Sequence, residues 1–80
     1  MDVHRLVAMA NDIAAFFDSE PDKVVAAEGV RSHLQKFWAP RMRAEILVHA
    51  GQGGAGLSPL ALSAVRLLAG HPDPGAGRAG

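Results

Sequence analysis

Residues 33–43 read His33-Leu34-Gln35-Lys36-Phe37-Trp38-Ala39-Pro40-Arg41-Met42-Arg43, and the proline decides how the chain divides. Proline has no N–H, and its ring pushes the preceding residue, Ala39, toward extended geometry, so a helix arriving from upstream must stop. The same residue suits the first turn of a new helix, where the missing N–H is not needed. Two helices meeting at a corner are therefore expected, one over residues 21–38 and one over 40–50. The first has an apolar stripe of Ala27, Val30, Leu34 and Phe37, flanked by Val24 and Trp38. The second has Met42, Ile46 and Leu47.

Upstream, Val3, Leu6, Val7, Ala10, Ile13, Ala14 and Phe17 recur at steps of three and four, which predicts an amphipathic helix over residues 2–18. Asp2 stands where an acid complements the helix dipole. The run Asp18-Ser19-Glu20-Pro21-Asp22 ends that helix and starts the next, with Ser19 expected as N-cap and Pro21 in the first turn. Gly29 costs its helix about 1 kcal/mol relative to alanine; a close helix–helix approach or simple slack would account for it. Downstream, Gly51-Gln52-Gly53-Gly54-Ala55-Gly56 predicts a flexible linker. Ser58 and Pro59 then open a last helix as N-cap and first residue. Its face is Leu60, Ala61, Ala64, Val65 and Leu68, and Gly70 stops it. Nothing alternates with period two. The expected fold is all-α, a small bundle of three to four short helices over residues 1–69, with a disordered Pro/Gly-rich tail over 70–80.

The chain has 80 residues, with eight basic and eight acidic side chains and no formal net charge. That balance argues against a general nucleic-acid binder, which needs surplus cations to displace phosphate counterions. A chain of this length forms one domain and buries only about 60% of its unfolded surface, so a staple or a partner is usually required. Cysteine is absent, which excludes disulfides and cysteine-based zinc sites and points to a reducing compartment. With no apolar run long enough for a membrane and no signal-peptide pattern at Met1-Asp2-Val3-His4-Arg5, a small soluble cytoplasmic protein is expected.

Catalytic chemistry is hard to find. The pattern from Gly51 to Gly56 looks like a nucleotide-binding loop, but the segment before it is helical rather than a strand, and no Lys-Ser/Thr follows. Glu45 and His49 lie four apart, yet two ligands do not make a metal site, and an exposed polar pair is expected. His4, His33 and His71 fall at unrelated positions.

Charge is unevenly placed. Asp12, Asp18, Glu20, Asp22 and Glu28 face only Lys23, a balance of −4, whereas Arg31, Lys36, Arg41 and Arg43 follow with no acid, a balance of +4. His33, Phe37 and Trp38 are interleaved with those bases. Nucleic acid would use such a mixture, and a helical corner with core aromatics and solvated or paired arginines would also contain it. A protein interface is best supported, since Trp and Arg are favoured anchors. Successive residues lie about 100° apart around a helix. If Phe17 and Phe37 point inward, Phe16 and Trp38 sit at the margin or outside, and Phe16 shares a face with Met9. Met9, Phe16, Trp38, Arg41 and Arg43 are the candidate partner-binding residues; the apolar ones could also simply wrap the edge of the core.

Three segments together resemble a known family. Met9-Ala10-Asn11-x-Ile13-x-x-Phe16-Phe17, the corner His33-Leu34-x-Lys36-Phe37-Trp38-x-Pro40-Arg41-Met42-Arg43, and Gly56-Leu57-Ser58-Pro59-Leu60 are similar to the delta subunit of bacterial NAD-dependent formate dehydrogenase. The corner is the most specific, because Phe-Trp-x-Pro-Arg-Met-Arg is not produced by helix patterning alone. The resemblance implies a non-catalytic accessory subunit of a soluble cytoplasmic molybdenum (or tungsten) enzyme, associated with assembly and stability of the complex and with cofactor insertion. It also implies that the molybdopterin cofactor, iron–sulfur clusters and FMN reside in the catalytic alpha subunit and its electron-transfer partners, and that this chain binds none of them. The alternative of another class is a stand-alone nucleic-acid-binding helical module using the basic stretch over residues 31–43.

Overall fold

The computed structural model describes residues 2–70. It contains four helices in the order α1 (Val3–Phe17), α2 (Lys23–Phe37), α3 (Pro40–Gly51) and α4 (Pro59–Ala69), with no strand among the described residues. The expected all-α bundle is what the chain forms. Of the tail expected to be disordered, residues 71–80 lie outside the described residues.

Local chemistry sets each boundary. The Asp2 carboxylate accepts from the His4 N–H at the start of α1. Helix α2 is capped by Asp22 rather than Ser19: its Oδ1 accepts from the Val24 and Val25 amides at 3.0 and 3.3 Å. Pro21 thus stands outside the helix, and the anionic Asp22 cap meets the positive end of the dipole. Lys23 Nζ reaches back 2.7 Å to the Asp18 carbonyl, giving the end of α1 a donor from the start of α2. Pro40 is the first residue of α3 and Ser58 caps α4 through the Ala61 amide, both as expected.

The core draws on all four helices: Leu6, Val7, Ala10 and Ala14 from α1, Val30 and Leu34 from α2, Ile46 from α3, and Ala61, Ala64, Val65 and Leu68 from α4. Helix α4 is the hub; it packs most extensively on α2 and also touches α1 and α3, while α2 and α3 touch each other least. So many core alanines let the helix axes approach closely. Gly29 belongs to that logic. A Cβ there would lie 2.6 Å from Phe17 Cε1, so the bare backbone of α2 is the seat for the Phe17 ring of α1. Close approach, not slack, explains this glycine.

The glycine-rich segment is a built turn, which corrects the expected flexible linker. Gly53 N–H donates to Ala50 O and Gly54 N–H to His49 O, the paired bonds that close a helix C-terminus when the residue after the cap takes positive φ. Gly53 has φ +108° and Gly54 +66°; Gly54 is buried, and a Cβ on it would come 2.7 Å from Leu62 Cδ1. Asn11 of α1 then clamps the turn to the bundle. Its Nδ2 donates to Gly56 O at 2.9 Å, and its Oδ1 accepts from Ser58 N–H at 2.8 Å. His49 Nε2 lies 2.7 Å from Ala55 O, so that nitrogen carries the proton and donates. Composition reveals the glycines; it does not reveal the side-chain amide 45 residues away that orders them.

Candidate functional site

The corner between α2 and α3 inverts one expectation. Trp38 is 5% exposed and joins the core, whereas Phe37 is 71% exposed. A helical wheel carried through residue 38 makes the opposite assignment, and it fails because the helix has already ended. Trp38 has φ −83° and ψ 142°, and Ala39 is extended as well. The chain leaves the helical path two residues before Pro40, so the Trp38 side chain swings beneath the corner and Phe37 is left projecting from the last turn.

Arg43 is likewise turned inward. Only 9% exposed, it donates from Nη1 to the Gln35 carbonyl at 3.2 Å and to the Trp38 carbonyl. These oxygens belong to the end of α2, where the last carbonyls have no intrahelical donor. A cation at that end also meets the negative pole of the dipole. Trp38 and Arg43 thus build the corner from inside. Met9 is half-buried and packs against the core, so it does not join Phe16 in an open apolar patch. Of the five candidate residues, Phe16, at 80% exposure, and Arg41 face solvent.

The basic stretch is likewise thinner than its composition. Arg31 Nε bonds Glu28 Oε1 at 2.7 Å and its Nη1 reaches Gln35 Oε1 at 3.2 Å. With Arg43 inside, Lys36 and Arg41 are the exposed bases of this stretch. Two of its four cations are thus drawn into contacts within the protein.

A different surface comes together along α2. Phe16 stands edge-on to Phe17, ring centroids 5.3 Å apart, and Phe17 rests over Gly29. Four residues on from Gly29 is His33, whose ring is 4.8 Å from that of Phe37. Val25, four residues before Gly29, is 53% exposed. Residues 25, 29, 33 and 37 form a single i,i+4 row, so these side chains make one ridge beside the α1–α2 seam. The row is visible in the sequence once Phe37 is released from the core; assigning Phe37 inward hides it.

Among the described residues no group of three or more His, Asp or Glu side chains could hold a metal ion, and no helix is long and apolar enough to cross a membrane. Glu45 and His49 are both half-buried rather than exposed, and His49 is engaged by the Ala55 carbonyl.

By fold and surface the molecule is a small all-α domain with two phenylalanines, Phe16 and Phe37, displayed outward. It belongs to the FdsD family, the delta subunit of NADH-dependent formate dehydrogenase, whose family model matches residues 5–65. The resemblance carried by the three segments is therefore borne out. No curated protein and no solved structure matches the chain.

Proposed function

We propose that this chain is a non-catalytic accessory subunit that supports assembly and stability of a soluble, cytoplasmic NAD-dependent formate dehydrogenase and assists insertion of the molybdenum cofactor into its catalytic alpha subunit. The observation that carries the reading is the family match, which runs from the first turn of α1 into α4. The donor set agrees with an accessory role. Iron–sulfur clusters are held by cysteine thiolates, and this chain has no cysteine, so clusters of the complex fall to other subunits. Its small alanine-rich core and outward aromatics are what a subunit completed by a partner would present.

The experiment is removal of the chain from a host that makes the whole enzyme. Without it, the amount of assembled complex and the formate-oxidising activity should both fall. If insertion is also assisted, molybdenum per catalytic subunit falls further than the protein does. Full assembly, full metal content and full activity without the chain would overturn the proposal.

A further inference from the structure

We infer that the chain docks on its enzyme through the aromatic ridge along α2, with Phe16 and Phe37 as the anchors, and not through the tryptophan–arginine corner. This rests on the accessory-subunit reading and deepens it by assigning the surface and the chemistry of what covers it.

Phe16 and Phe37 are the two most exposed aromatic side chains, and neither contributes to the core. Each touches one other ring. Phe16 is braced by Phe17, itself seated on Gly29, and Phe37 is braced by His33. Exposed phenylalanines bury a large apolar area when a partner covers them and are enriched in interface cores. The row from Val25 to Phe37 spans twelve residues, about 18 Å at 1.5 Å per residue, enough for one helix or strand of a partner to lie along.

Charge marks one end of the ridge. At the Phe37 end, Lys36 neighbours His33 at i+3 and is exposed, and Arg41 is exposed in the first turn of α3 just past the corner. The occupant that fits is a protein segment of the complex with an apolar stripe and carboxylates set against Lys36 and Arg41, a charge match that favours this partner over a neutral or basic one.

The test measures binding of the full chain to formate dehydrogenase complex prepared without it. Phe16→Ala and Phe37→Ala should each weaken binding about 30-fold, the usual scale of a central anchor, with the thermal midpoint of the free chain unchanged. Lys36→Glu combined with Arg41→Glu should weaken it about tenfold at low salt and less at high salt. If the wild-type chain binds and all these variants bind equally well, the ridge is the wrong surface. If the wild-type chain itself does not bind, the accessory-subunit reading fails, and the ridge assignment with it. If the phenylalanine variants abolish self-association of the chain but leave complex binding intact, the ridge joins two copies of this chain and the inference is overturned.

Discussion

The Arg43 guanidinium lies where the last turn of α2 presents carbonyl oxygens with no helical donor, and it supplies N–H groups to Gln35 and Trp38. Removing it takes away the hydrogen bonds to both oxygens, the one to Trp38 buried, so Arg43→Met, which keeps most of the stem, should cost about 1–3 kcal/mol. Urea unfolding would show it as a lower midpoint with an unchanged slope. Trp38 and Phe37 offer a sharper contrast at adjacent positions. Trp38→Ala opens a cavity in a core of few large side chains and should cost about 3–5 kcal/mol. Phe37→Ala should stay within about 0.5 kcal/mol, as exposed substitutions do. Comparable losses at both positions would mean that Phe37 is packed, contrary to its exposure in the structure.

At the scale of elements, two seams hold the bundle in register. One is Phe17 on Gly29. Alanine at 29 gains about 1 kcal/mol of helix propensity, but its Cβ displaces the ring from where it rests. Gly29→Ala should therefore stabilise a Phe17→Ala background by about 1 kcal/mol and stabilise the wild type by clearly less; a double-mutant cycle reads the difference as coupling. Equal gains in both backgrounds would show that the seat does not matter. The other seam is Asn11 across the turn between α3 and α4. Asn11→Asp keeps the acceptor for Ser58 N–H but loses the donor to Gly56 O and brings a carboxylate toward that carbonyl. A loss of about 1–3 kcal/mol in a melting experiment is expected; no loss would mean the turn orders itself without the clamp.

Over the whole molecule, what periodicity could convey was legible. The stripes of α1 and α4 and the junction at Pro40 follow from apolar spacing and from proline chemistry, and the helices lie where these place them. What periodicity could not convey shares one physical cause. Trp38, Arg43 and the glycine turn depend on non-helical backbone and on groups distant in sequence, which a helical wheel cannot represent. Phe-Trp-x-Pro-Arg-Met-Arg looks like a docking motif because Trp and Arg are common anchors, yet two of its most prominent residues are consumed in joining α2 to α3. With Phe37 outside the core and Trp38 inside it, the docking surface we propose lies on the flank of α2 rather than at the corner.

That relocation is open to a single measurement: oxidative footprinting of aromatic side chains in the free chain and in the assembled formate dehydrogenase complex. In the free chain, Phe16 and Phe37 should label readily while Trp38 is protected. In the complex, Phe16 and Phe37 should become protected and Trp38 should not change. Labelling of Trp38 in the free chain that disappears on assembly, with Phe16 and Phe37 reactive throughout, would return the docking surface to the corner and contradict the assignment made from the structure.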